Sequence, residues 1–316
     1  MTRVAAIDCG TNSIRLLIAD VTGGRLTDVV RTLEVVRLGQ GVDRTGRFAD
    51  DALERTLAAT RRYAKLCREH QVERLRFVAT SATRDATNRD DFLGPVRDLL
   101  GVEPEVIEGH EEAELSFRGA LSVLESSGSA EQQTHLVVDL GGGSTELVLG
   151  GSRPIAAYSM DVGCVRLTER SVTSDPLSAE DREALARDVR SALEEAGRVV
   201  DVSAASAVLG VAGTVTTITA HALRLPGYDP VAINGATLPL DVVLAACEEL
   251  ASMPRAERAA LPFMHPGRVD VIPGGAVIWA EVLTHVRDRT AENGTPITEV
   301  ITSEHDILDG VALSLA

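Results

Sequence analysis

Two short stretches each place a carboxylate at the mouth of a loop made of glycine and small hydroxyl residues. Residues 5–18 read AAIDCGTNSIRLLI and residues 136–149 read LVVDLGGGSTELVL. Aligned on their aspartates, Asp8 falls on Asp139, Gly10 on Gly141, Ser13 on Ser144 and Leu16 on Leu147, so the pair reads as a duplication. Successive N–H groups of such a turn form an anion-binding nest. Glycines at 141, 142 and 143 let the backbone approach a ligand closely. The chemistry this suits is the holding of phosphates by bare amides, with Thr11, Asn12, Ser13, Ser144 and Thr145 as short side-chain donors. Asp8 and Asp139 suit a magnesium ion held between acid and phosphate. The competing reading is an Asp that braces its own loop; the duplication favours metal for at least one of the two. Glu146 shares a strand face with Ser144, so both could point toward the ligand; the competing reading is a solvent-facing strand residue.

Hydrolysis also needs a base. On a helix over 110–126, Ala113, Phe117, Ala120 and Leu124 make the buried stripe, and Glu111, Glu114 and Arg118 lie on the polar face. Glu112 lies at the boundary, where partial desolvation raises a carboxyl pKa, so it is the candidate general base. A plain N-terminal acid favoured by the helix dipole is the alternative. Gly213 and Thr214 open a later helix and suit an anion. Arg84 and Arg268 could supply fixed positive charge. The seven histidines show no metal-ligand spacing and no G-x-S-x-G elbow is present, so nucleophilic Ser–His catalysis has no support.

Short apolar runs, not helices, follow both glycine loops, which excludes a Walker loop and a dinucleotide fingerprint and predicts β-hairpins. Further on, helices are expected over 50–70, 89–100, from Ser178 to about Val200, near 239–251, over 270–287 and over 304–316. Strands are expected at Arg76–Ala79, Glu105–Glu108, Ala207–Val211 and Glu299–Thr302. This alternation predicts an α/β fold. Ser126-Ser127-Gly128-Ser129 reads as a linker. It divides a domain of 1–126 plus 304–316 from one of 127–303. The 316 residues carry a net charge of −16, which excludes a broadly basic nucleic-acid binder. No apolar run is long enough to span a membrane. Asp8 interrupts any leader-peptide core, and the four dispersed cysteines fit a reducing cytoplasm.

Two D-x-G loops and the later Gly210-Val211-Ala212-Gly213-Thr214 resemble the superfamily of actin, sugar kinases and heat-shock chaperones. The ordered set is more specific. Asp8–Ser13, Ala79-Thr80-Ser81-Ala82-Thr83-Arg84-Asp85-Ala86, Gly109-His110-Glu111-Glu112-Ala113, Asp139–Glu146 and Pro266-Gly267-Arg268-Val269-Asp270-Val271-Ile272 resemble the exopolyphosphatase / guanosine-pentaphosphate phosphohydrolase family along essentially the whole chain. The resemblance implies two actin-like (ribonuclease H-like) domains flanking a cleft for inorganic polyphosphate or guanosine alarmones, the latter as substrate or inhibitor. It implies Glu112 as the base, Asp139 and Glu146 around Mg²⁺, and Arg84 and Arg268 on the phosphate chain. A monovalent cation and a homodimer are further expectations. The activity expected is release of orthophosphate from polyphosphate, the alternatives being a pentaphosphate 5′-phosphohydrolase or a non-catalytic sensor. Leu308-Asp309-Gly310 stands where many members carry Arg-Glu-Gly, removing a cation. Longer members add helical C-terminal domains, so short chains are the expected preference.

Overall fold

The computed structural model describes residues 1–122 and 133–316. The expected linker at 126–129 and the end of the helix expected over 110–126 lie outside the described residues. The chain divides into two compact units, Met1–Gly119 with Ile307–Ala316, and Ala120–Asp306.

The first unit is built on β1 (Thr2–Cys9), β2 (Ser13–Thr22), β3 (Arg25–Val35), β4 (Arg74–Ala79) and β5 (Glu105–Val106), in the order β3-β2-β1-β4-β5. The β1–β2–β3 meander is antiparallel, and β4 and β5 add in parallel beside β1. The second unit contains β6 (His135–Leu140), β7 (Thr145–Gly150), β8 (Pro154–Met160), β9 (Ala207–Val211), β10 (Thr237–Pro239) and β11 (Glu299–Thr302). Its order, read from β8, is β8-β7-β6-β9-β11-β10. The β6–β7–β8 meander is again antiparallel, with β9 and β11 parallel beyond it. The two sheets thus repeat one plan, with β10 as an added antiparallel edge. The duplicated hairpins are β1–β2 and β6–β7. The fold is α/β, made of two actin-like domains.

The alternation of side chains along the first sheet sets its two cores. Ala5, Ile7, Cys9, Ile14, Leu16 and Ile18 pack with Leu53, Tyr63 and Phe92 from the helices Asp50–Glu69 and Asp90–Leu100. Val4, Ala6, Leu17, Ala19 and Val78 face the other way, against Leu115 and the helix Ile307–Ser314. With both faces covered, the strands read as near-continuous apolar runs rather than as alternating ones. On that second face the next inward positions are polar: Asp8 after Ala6, Arg15 before Leu17, and Thr80 after Val78. These three residues lie at one end of the sheet.

The C-terminal helix is held tightly to this unit. A Cβ at Gly310 would stand 1.9 Å from the Leu115 carbonyl oxygen, so the helix meets the backbone of Gly109–Ala120 with no room for a side chain. Asp309 receives two bonds from Arg31, at 2.5 and 3.1 Å. Leu308 is buried in the second-face core. Elsewhere the start of the helix Ala179–Ala196 is fixed by a capping box between Ser178 and Asp181. All four cysteines are buried free thiols.

Replacing Gly310 by alanine is expected to destabilise the protein by about 2 kcal/mol, the scale of an overpacked core. Equilibrium urea denaturation measures this, and an unchanged midpoint would contradict the close approach.

Candidate functional site

Both glycine turns are closed in the same way. The Gly10 N–H donates to the Ser13 carbonyl and the Gly141 N–H to the Ser144 carbonyl, each at 3.0 Å. In the second unit every remaining carbonyl of the turn is then drawn to one side. Gly141 O accepts from Cys164 N at 3.1 Å, and Gly142 O from Val165 N and Arg166 N at 2.9 and 3.1 Å. Gly143 O accepts from Arg166 Nε at 2.6 Å. The acceptors of the turn are therefore used by the first turn of the helix Cys164–Ser171. Among the described residues no acceptor meets the N–H groups of Gly142, Gly143 or Ser144. Peptide planes with their oxygens tied back present their N–H groups outward, which is what an anion nest requires. In the first unit the loop after β3 does the same work. Gly39 N bonds Thr11 O at 2.9 Å, and Val36 N and Arg37 N bond Asn12 O at 3.1 and 2.8 Å. Thr11 Oγ1, Asn12 Oδ1 and Thr83 Oγ1 are buried there without a hydrogen-bond partner, a cost that a ligand or water would relieve.

The hairpin register explains the acids. Asp8 lies opposite Arg15, and Asp139 opposite Glu146. Asp8 was expected beside magnesium, but its Oδ2 takes Arg15 Nη2 at 2.6 Å and Nε at 3.0 Å, so this oxygen already holds a fixed cation. In the second unit the same cross-strand pair is Asp139 and Glu146, both buried. Two carboxylates set opposite one another out of water favour a cation between them. Among the described residues no cluster of three or more acidic, histidine or cysteine side chains could hold a metal. A pair of carboxylates nevertheless fits Mg²⁺, which commonly takes one or two and completes its shell with water and phosphate oxygens.

Glu112 is buried on the helix Gly109–Ala120, as are Ser116 and Gly119 of the strip it was expected to share. Arg84 Nη1 donates to its Oε2 at 2.7 Å and to the Ile107 carbonyl at 2.8 Å. Burial pushes the Glu112 carboxyl above its ordinary value. The Arg84 charge and hydrogen bond oppose that rise, the Asp8 charge adds to it, and a bond from Thr80 opposes it. Arg84, expected on the phosphate chain, thus has the Glu112 carboxylate as its partner. Asp8, Thr80, Arg84 and Glu112 form one electrostatic group in the first unit.

In the second unit the helix Ala212–Ala222 starts abruptly, with Ala212 at φ 71°. A Cβ on Gly213 would stand 2.2 Å from Arg268 Nη2, so the Arg268 guanidinium lies directly on this peptide. Arg268 Nη1 also donates to Thr217 Oγ1 at 3.1 Å. Cys164 packs at the start of the helix Cys164–Ser171, and its N–H bonds Gly141 O at 3.1 Å. Ser144 is buried in the turn. Thr145, expected on phosphate, is fully buried and donates to the Val162 carbonyl at 2.6 Å, so it braces its strand. Sequence reasoning missed Arg15, Thr80 and Arg166. The hairpin register would have placed Arg15 opposite Asp8; nothing in the spacing signals Arg166.

The first unit thus sets a buried carboxylate, Glu112, against the Arg84 guanidinium, and the second sets a turn with its carbonyls tied back beside the pair Asp139 and Glu146. A model of the Ppx/GppA phosphatase family matches residues 17–295. The chain is 51% identical over 325 residues to exopolyphosphatase 2 of Mycobacterium tuberculosis, covering 100% of this chain and 99% of that protein. Among solved structures, an exopolyphosphatase-like protein superposes with a TM-score of 0.96 at 47% identity, covering 100% of this chain and 98% of that one. A Ppx/GppA family member from Aquifex aeolicus gives 0.79 at 29% identity, covering 99% and 97%. This chain belongs to the Ppx/GppA phosphatase family.

Two outcomes are expected. A base acts deprotonated, so with Glu112 in the expected role activity should rise with pH through its pKa. Replacing Arg84 by glutamine removes the largest influence holding that pKa down, so the acid limb of kcat/KM should move to higher pH; an unmoved limb would contradict the pairing. Gly213→Ala displaces Arg268 and should raise KM for polyphosphate about tenfold, equivalent to ~1.4 kcal/mol, read by steady-state kinetics.

Proposed function

We propose that this protein is an exopolyphosphatase that releases orthophosphate from the end of inorganic polyphosphate. One observation carries the reading: the turn at Gly141–Gly143 has its carbonyls tied back to the helix Cys164–Ser171, leaving a row of amides suited to a run of phosphate oxygens. The 51% identity to an exopolyphosphatase over the full chain supports it.

In this reading the amides of Gly142, Gly143 and Ser144, the helix start at Gly213–Thr214 and Arg268 hold phosphates of the chain. Thr11, Asn12 and Ser13 hold them at the first turn. Glu112 orients a water and takes its proton as the oxygen attacks the terminal phosphorus. The bridging P–O bond breaks, the electron pair goes to the shortened chain, and orthophosphate leaves. Glu112 then returns its proton to solvent. Charge builds on the transferring phosphoryl oxygens, and fixed N–H groups and guanidinium groups stabilise it without reorganising. Arg84 has two roles: it tempers the Glu112 pKa before reaction, and it lies beside the phosphoryl group that Glu112 serves. Asp139 and Glu146 would hold Mg²⁺, which when bound neutralises phosphate charge. The overall charge of −16 makes such local cations necessary for a polyanionic substrate.

Guanosine pentaphosphate offers the same terminal anhydride. With aromatic residues at only 3% of the chain, little stacking surface is available for its base, so polyphosphate is the favoured substrate. Phosphate release from the two compounds at matched concentration, across polyphosphates of graded length with and without Mg²⁺, tests this directly. Wild-type protein should act on polyphosphate. Glu112→Gln and Asp139→Ala should each lower turnover by at least about a hundredfold. Full activity in either variant would remove that residue from the mechanism.

A further inference from the structure

The two units differ most sharply across three neighbouring strands at the level of the duplicated aspartates. In the first unit the register runs Asp8 on β1, Arg15 on β2 and Leu33 on β3. In the second it runs Asp139 on β6, Glu146 on β7 and Ser159 on β8. Both rows are straight cross-strand ladders, whose side chains project from one face. In the first unit the guanidinium in the middle satisfies the aspartate, and the third residue is apolar. In the second the middle residue is itself an acid, and the third becomes a hydroxyl. That hydroxyl is committed: Ser159 Oγ donates to Glu146 Oε1 at 2.7 Å.

The packing of β8 explains why Ser159 reaches the acid and not the core. Its neighbours Tyr158 and Met160 pack into the main hydrophobic cluster of the unit, together with Leu147 and Leu149 of β7. Strand alternation therefore turns Ser159 and Glu146 to the opposite face. Glu146 is 1% exposed, so its carboxylate has little water to fix its rotation. A hydroxyl donating to one oxygen does so, at the strength of a charge-assisted bond. It also draws off none of the negative charge that a cation needs, which an arginine in that place would.

We propose that Ser159 is the positioning residue of a divalent-cation site made by Asp139 and Glu146: its hydroxyl holds Glu146 Oε1 and so orients the carboxylate toward the ion. The inference rests on the metal role given to these two acids above. It adds to that role the residue that preorganises them, and it explains why the third strand of the ladder carries serine in this unit and leucine in the other. Partners one layer out from a metal ligand commonly change metal affinity by about 10–100-fold when removed.

The test is direct binding of Mg²⁺ by calorimetry to the whole protein without polyphosphate, repeated with Mn²⁺ by electron paramagnetic resonance. Ser159→Ala should weaken binding about tenfold, while KM for polyphosphate at saturating Mg²⁺ stays unchanged. Ser159→Thr, which keeps the hydroxyl, should restore affinity. In a Glu146→Gln background Ser159→Ala should produce no further loss, because its effect passes through that carboxylate. Affinity equal to wild type in Ser159→Ala, or an equal further loss in the Glu146→Gln background, would overturn the positioning role alone. A wild-type protein that binds neither ion would overturn the metal site and this inference with it.

Discussion

The orientation of a few peptide planes carries the rest of this structure. At both turns the carbonyl oxygens are pulled into hydrogen bonds on one side, by the amides at 36–39 in the first unit and by the first turn of Cys164–Ser171 in the second. A peptide plane cannot turn its oxygen one way without turning its N–H the other. The turns become donors for that reason, and the acidic chain acquires places where an anion can rest. Bulky residues would block the approach, hence the glycines at 141, 142 and 143. Gly163 belongs to the same device, since a Cβ there would lie 2.4 Å from the Gly142 carbonyl carbon and oxygen.

The acids take their meaning from the sheet beneath the turns. Each strand of the duplicated hairpin reaches its end with one more inward position than the apolar core needs. In the first unit those positions hold Asp8, Arg15 and Thr80, and the helix with Glu112 covers them. Charge is balanced there within the protein: Arg15 meets Asp8 and Arg84 meets Glu112, at 2.6 and 2.7 Å. In the corresponding ladder of the second unit the residue opposite the aspartate is itself an acid, Glu146 facing Asp139. One fold, used twice, thus supplies a buried carboxylate paired with arginine in one unit and two acids facing one another across a hairpin in the other.

Much of this was legible in the sequence, and the part that was not has a physical reason. The duplication was visible because turn geometry restricts residue type: Asp, Gly and Ser recur where the backbone demands them. The helix of Glu112 was readable from its period; the strip expected at the boundary of its apolar stripe is buried at Glu112, Ser116 and Gly119. Pairings across strands were less accessible. Thr145 looks like a phosphate donor beside three glycines, yet it faces into its own strand pair and bonds Val162. Asp8 looks like the twin of Asp139 until the register brings Arg15 opposite it. Arg166 is an unremarked helical residue in sequence; only the fold carries its guanidinium to the Gly143 carbonyl.

The central claim is that the amides of the turn grip the substrate, and amide resonances report it most directly. Titrating ¹⁵N-labelled Glu112→Gln protein with tripolyphosphate and Mg²⁺ should shift the signals of Gly142, Gly143 and Ser144 and slow their hydrogen exchange. Shifts confined to exposed arginines, with those three amides unmoved and unprotected at saturation, would show that the turn does not hold the phosphates.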